Sequence, residues 1–280
     1  MSVFTVTNLN DSGAGSLRDA ISAANASFGP DVINFTVSGT IILTSGQLSI
    51  EGDLFINGDS NGDNVADIVV DGNNASRVFE INPGTPAKLS NLTITNGVGA
   101  PQGGGILNKG KLTLDQVVVT GNTENSTGPA MFDFGGGGIY NGDGAQLHLH
   151  DSSVTNNSSI NHPGGGIYSY FNSSTLIENS TISGNLSGDV AGGLRSLGHV
   201  DIVDSTFTGN TSTAWHGGAI FHTDGTLNIM NSVLTGNSSF PGTANGLMLA
   251  TFGAPATANL YDTVINEVGQ ACNVEGDPTQ

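Results

Sequence analysis

The chain has 280 residues, with 24 Asp plus Glu against six Lys plus Arg and a formal net charge of -18. Such an acidic excess repels nucleic acid and anionic membranes, which excludes both as direct partners, and it attracts divalent cations. The single cysteine, Cys272, excludes an internal disulfide framework and cysteine-based zinc sites.

The start, Met1 to Thr5, has no basic segment followed by a long apolar run, so no signal peptide is read there. No apolar stretch is long enough to span a membrane. Residues 16 to 26 carry the first element. Ser16 is an N-cap type of residue with Asp19 three positions on, and Leu17, Ala20, Ile21 and Ala24 repeat at helical spacing. This predicts a short capping helix. Strand-like runs follow at Asp31 to Val37, Thr40 to Leu43, Leu54 to Asn57 and Asp67 to Val70.

Between the last two lies a polar loop. Asp59, Asn61, Asp63 and Asp67 offer side-chain oxygens at calcium-loop spacing, Val65 offers a backbone carbonyl, and Gly62 permits the sharp bend. The expectation is a structural calcium ion held by Asp59, Asn61, Asp63, Val65 and Asp67. Position 12 of the pattern is Val70 rather than Glu, and no helices flank the loop. A polar turn between two strands is the competing reading.

From Lys88 onward a ten-residue block recurs, starting again at Thr113, His148, Leu176, Asp201, Asn228 and, degenerately, Asn259. Its second position reads Leu89, Leu114, Leu149, Ile177, Ile202, Ile229 and Leu260. Its seventh reads Ile94, Val119, Val154, Ile182, Phe207, Leu234 and Ile265. These are expected to be inward stacks, because a coil buries its apolar face only against its neighbours. The fourth position is Asn or Asp, with Gln116 as the exception. The tenth is Asn122, Asn157, Asn185, Asn210 and Asn237. Asparagine in these columns fits left-handed turns or a hydrogen-bonded ladder. A glycine-rich motif precedes five blocks, at Gly103, Gly136, Gly164, Ala191 and Gly217, and fits positive φ or close backbone approach.

The columns predict an all-β fold: a single-stranded, right-handed parallel β-helix with a short N-terminal capping helix. One domain is expected over 1–280. Residues 1–45 form the cap and first coil, 46–258 the stacked coils, and 259–280 a C-terminal coil or a linker.

Chemistry could sit on the third position, where Ser90, Asp115, His150 and Glu178 follow one another. Strands about 4.8 Å apart make Asp115, His150 and Glu178 neighbours, and His148 points the same way. These four are the candidate acid, base or metal-binding groups, set against a reading as solvated surface pairs. Tyr140 and Tyr168 should stack on adjacent coils near Tyr170 and Phe171, as lateral cover or as a sugar platform. His162, His199 and His222 are read as surface residues. Basic residues outside the N-terminal region are scarce: Lys88, Lys109, Lys111 and Arg195.

The segment Phe4 to Ile21, with Ala24 and Asn25, resembles the N-terminal motif of bacterial surface and secreted β-helix proteins of the CSLREA type. The Gly217-Gly-Ala-Ile and Thr-Gly-Asn motifs resemble repeats of polymorphic outer-membrane proteins and related pectin-lyase-like solenoids. The resemblance implies a secreted or cell-surface bacterial setting. It does not imply one activity, because the fold hosts adhesins, passengers, lyases, hydrolases and epimerases. No polygalacturonase or mannuronan-epimerase signature occurs. The expected function is a non-catalytic scaffold or adhesin segment that binds a glycan or cell-surface protein, most of all through the insertion between Gly121 and Gly135, and that sits in a longer multidomain chain. The alternative is a polysaccharide-active enzyme using Asp115, His148, His150 and Glu178.

Overall fold

Each coil of the chain makes three short strands separated by tight turns, and every strand pairs in parallel with its counterpart one coil on. The computed structural model describes residues 1–128, 133–251 and 256–275. Among these, the strands form a ten-stranded sheet, two nine-stranded sheets and a sheet of five two-residue strands. The result is a right-handed parallel β-helix of about nine turns with almost no helix. The early strands run Asp31–Phe35, Gly39–Ile42, Leu48–Ile50, Leu54–Asn57, Ile68–Asp71 and Phe79–Ile81. Leu48–Ile50 and Phe79–Ile81 are too short for their alternation to stand out in the sequence.

Helix α1, Leu17–Asn25, closes the N-terminal end. Ser16 Oγ accepts from Asp19 N at 3.2 Å, satisfying one orphan donor of the first turn. Leu17, Ala20, Ile21 and Ala24 are buried in the main core. Arg18 fastens the cap. It donates to Asp11 Oδ1 at 2.7 Å, Gly46 O at 2.7 Å and Gln47 O at 2.9 Å. The other oxygen of Asp11 accepts from Thr44 N and Oγ1.

The inward columns hold. From Leu89 to Ile229 and from Ile94 to Leu234, both positions are fully buried in one continuous core. Leu260 departs from the expectation, being 43% exposed. It belongs to the last strand of the ten-stranded sheet, so among the described residues no further coil covers it.

The fourth position is left-handed in every copy. φ is 53° at Asn91, 56° at Gln116, 48° at Asp151, 48° at Asn179, 50° at Asp204, 49° at Asn231 and 46° at Asp262. Gln116 adopts this backbone although its side chain is longer. The tenth position does a different job, and the left-handed residue there is the ninth: Asn96, Gly121, Asn156, Gly184, Gly209 or Gly236. The tenth asparagines point inward and form a ladder. Asn122 Nδ2 donates to Asn157 Oδ1 at 2.9 Å, Asn157 to Asn185 at 3.0 Å, Asn185 to Asn210 at 2.9 Å and Asn210 to Asn237 at 2.9 Å. A serine ladder runs at the fifth position, where the backbone N–H of Ser152, Ser180 and Ser205 each reaches the next serine's Oγ at 3.0–3.1 Å.

The first position of the glycine motif combines both expected roles. It has positive φ, including at the non-glycine Ala191 at 60°, and a Cβ at Gly103 or Gly136 would also meet backbone, at Ile106 O (2.2 Å) or Ile139 O (2.4 Å). The second position lies where a Cβ would meet backbone: at Gly137 the nearest atom is Gly165 O at 2.3 Å.

Candidate functional site

Strand alternation turns the first and third block positions outward on the ten-stranded sheet. Strands Lys111–Asp115, Gln146–His150 and Ser174–Glu178 lie side by side, with Asp115 opposite His150 and His150 opposite Glu178. All four sequence-predicted residues therefore meet on one face. His148 Nε2 lies 2.7 Å from Glu178 Oε2, and the His148 and His150 rings are 6.1 Å apart. His150 Nδ1 lies 3.1 Å from Asp115 Oδ1 and 3.5 Å from Asp151 Oδ2. Lys88 Nζ sits 2.8 Å from Asp115 Oδ2.

The electrostatics follow from these contacts. Partial burial pushes the Asp115 carboxyl up, but hydrogen bonds from Lys88 and His150 outweigh it and hold the group below the usual range. The hydrogen bond to Asp115 raises His150 above an ordinary histidine. Asp151 enters the cluster because its left-handed backbone swings its carboxylate beside the residue before it. Sequence reasoning placed Asp151 only as a turn residue.

Asp151 also lines a groove of about 520 Å³ with Asn91, Gln116 and Asn179 from the left-handed column. Asn64, Val65 and Ala66 of the predicted calcium loop line it too. In that loop Asp59 Oδ1 accepts from Asn61 N at 3.1 Å and Gly62 N at 2.6 Å, and Oδ2 accepts from Asn64 N at 2.9 Å. These bonds, that of Asn64 first, lower the Asp59 pKa. Asp63 Oδ1 accepts from Val65 N, and Asn61 Nδ2 donates to Asp63 Oδ2 at 3.2 Å. Asp67 turns instead toward Ser60, accepting from its N at 2.9 Å and its Oγ at 2.6 Å.

A second concavity of about 350 Å³ opens beside the aromatic residues. Tyr140 and Tyr168 pair on adjacent coils, ring centroids 5.3 Å apart. Both are buried, with Leu107 and Leu197, as an outer cover of the solenoid. Burial raises both phenols. Tyr170 is part-exposed and packs 6.0 Å from each ring, with Phe171 beyond it. Gln102, Lys109, Asp133 and Asp143 supply the polar lining. Pro129 to Phe132 of the predicted binding insertion lie outside the described residues.

Two histidines expected at the surface are buried, while His199 is exposed as expected, 3.0 Å from Asp201. His162 is fully enclosed. Its Nδ1 lies 3.1 Å from Glu124 Oε2 and 3.0 Å from Ser126 Oγ, and Phe134 meets its ring edge-on at 5.2 Å. Glu124 also accepts from Ser126 N and Ser159 Oγ. His222 lies inside the coil, with Nδ1 3.2 Å from Ser196 Oγ, and desolvation lowers it to about 4. Arg195 follows the Tyr168 column, buried, 4.5 Å from the Phe221 ring, and donating to Ser196 O and Thr223 Oγ1. Arg195 and His222 stand in columns that are buried coil after coil, with Tyr140 and Tyr168 and with Asn141 and Ser169, but each is the single arginine or histidine of its column, so residue type concealed the burial.

No curated protein matches the sequence. Among solved structures, the crystal structure of pectate lyase Pel9A is similar at a TM-score of 0.47 and 16% identity, covering 97% of this chain and 79% of that one. The family described as the right-handed β-helix region matches residues 77–260, which take in all five glycine motifs and the repeated blocks up to Leu260. On that match and on its coil geometry, the chain belongs to the right-handed β-helix family.

Proposed function

We propose that the protein is a non-catalytic secreted or cell-surface module of bacterial type, a stiff acidic solenoid that binds a glycan. The observation that carries the reading is the concavity walled by Tyr140 and Tyr170 and edged by Gln102, Lys109, Asp133 and Asp143. A partly exposed aromatic face beside amide, ammonium and carboxylate groups suits a sugar, which offers an apolar C–H face and a rim of hydroxyls. A neutral or amino sugar fits the net charge of -18 better than a uronic-acid polymer. Calcium at Asp59, Asn61, Asp63, Val65 and Asp67 is part of the same proposal, as a brace for the loop beside the groove.

Glycan-array binding followed by calorimetry tests it. Tyr170→Ala and Lys109→Ala should each weaken binding about tenfold or more while the chain stays folded, since both side chains reach solvent and lie outside the main core. Saturable binding equal in wild type and both variants would reject this pocket. A chelator should lower the melting temperature, and Asp59→Asn should abolish that response.

The second reading, a polysaccharide-active enzyme, is favoured by the meeting of Asp115, His148, His150 and Glu178 on one face. Against it, the two carboxylates already accept hydrogen bonds or ion pairs from Lys88, His150 and His148, which opposes use as a protonated general acid. Turnover of a polysaccharide panel that disappears in His150→Ala would establish it.

A further inference from the structure

We propose that Asp115, His150 and Asp151 bind a divalent transition-metal ion of the zinc type. One donor atom from each residue lies within 4.8 Å of the other two. His150 Nδ1 is 3.1 Å from Asp115 Oδ1 and 3.5 Å from Asp151 Oδ2. Ligands about 2.1 Å from a tetrahedral ion lie roughly 3.4 Å apart, so both nitrogen–oxygen separations already suit one shared ion. An imidazole nitrogen with two carboxylate oxygens selects zinc or a similar metal over calcium, which prefers six to eight oxygens. The site is thus chemically distinct from the all-oxygen loop at Asp59.

The carboxylates are held from behind. Lys88 takes the far oxygen of Asp115 at 2.8 Å, and Asn179 Nδ2 donates to the far oxygen of Asp151. Each carboxylate therefore keeps one oxygen turned to His150 and the other engaged, the arrangement by which outer contacts orient metal ligands. Asn179 and Asp151 are successive members of the left-handed column, so the repeat backbone builds this support. Three protein ligands leave a tetrahedral ion one position for water or a ligand group. Asp151 also lines the groove of about 520 Å³, which gives that position access to a bound molecule.

The test is calorimetric titration of the whole chain, free of any histidine tag, with zinc chloride in a non-chelating buffer. One ion per chain is expected. His150→Ala and Asp151→Asn should each weaken binding at least tenfold, and asparagine keeps the left-handed backbone at 151. His199→Ala removes a separate exposed histidine–carboxylate pair, 3.0 Å apart, and should leave binding unchanged. Absence of saturable zinc binding, or equal affinity in wild type and all three variants, would overturn the proposal and leave a hydrogen-bonded surface cluster.

Discussion

Glu267 closes the asparagine ladder by gripping Asn237 twice. Its Oε1 accepts from Asn237 Nδ2 at 2.6 Å and its Oε2 from Asn237 N at 2.7 Å. Those donors would otherwise reach for a following asparagine, but the tenth position of the last block is Val268. The far end starts on backbone, with Gly97 N donating to Asn122 Oδ1 at 2.8 Å. Interior members are bound more fully. Asn185 Oδ1 accepts from Asn157 N and Nδ2, and its Nδ2 donates to Val154 O and Asn210 Oδ1. Asn185→Ala strands these partners in a dry interior and should lower stability by about 2–4 kcal/mol in urea titration. Glu267→Ala should act locally, raising hydrogen exchange in the final coil while the central coils stay protected.

The glycines separate by what surrounds them. Gly137→Ala drives a Cβ to within 2.3 Å of Gly165 O and 2.4 Å of Ser158 O. Backbone cannot yield there without parting two coils, so a loss above about 3 kcal/mol is expected. Gly144→Ala has φ of 67° and nothing within 4 Å. It should cost only about 1 kcal/mol, the left-handed penalty alone. Paired thermal melts check the contrast.

Stability should fall with acid in two stages. His222 is fully buried and its pKa is lowered from 6.5 to about 4. The unfolded chain takes up that proton first, so the contribution of His222 is complete above about pH 6.5 and is lost as pH falls toward 4. The loss reaches up to about 3 kcal/mol. Asp11 is lowered to about 2 because hydrogen bonds from Ser45, Arg18 and Thr44 outweigh its desolvation. Its share is present above about pH 4 and is lost between there and 2, loosening the N-terminal cap. Denaturant midpoints from pH 8 to 3 should show a step that His222→Phe removes.

Arg195→Ala removes a buried cation from the Phe221 ring and leaves the carbonyl of Ser196 short of a donor. A loss of about 3–5 kcal/mol is expected. Arg195→Lys should rescue little, because an ammonium cannot stack flat and fork to two acceptors.

What the sequence displayed was whatever recurred. The fourth-position column was readable as left-handed because seven copies put a short amide, a carboxylate or, at Gln116, a longer amide there. The serine ladder was equally written in Ser152, Ser180, Ser205 and Ser232, yet serine is so ordinary in turns that the column gave no chemical cue. Asp115, His148, His150 and Glu178 were placed correctly by register alone. Asp151 joined them through a backbone angle that alternation does not encode. His162 and His222 were hidden for the opposite reason. Each occurs once, and the walls that bury it come from residues distant in the chain, such as Glu124 and Ser196. Leu260 shows the limit of a column argument, since a stack implies burial only while another coil follows.

The asparagine ladder also has a direction. Every side-chain amide from Asn122 to Asn210 accepts from the N-terminal side and donates one N–H to the next ladder member, while its other N–H returns to a carbonyl one coil back. Their dipoles therefore add head to tail along the solenoid axis, as peptide dipoles do in an α-helix, but through residues 25–35 apart in sequence. The positive end falls at Asn237, and the carboxylate of Glu267 sits against it as an acidic residue sits at a helix N-terminus. The ladder is electrically polar from Asn122 to Asn237.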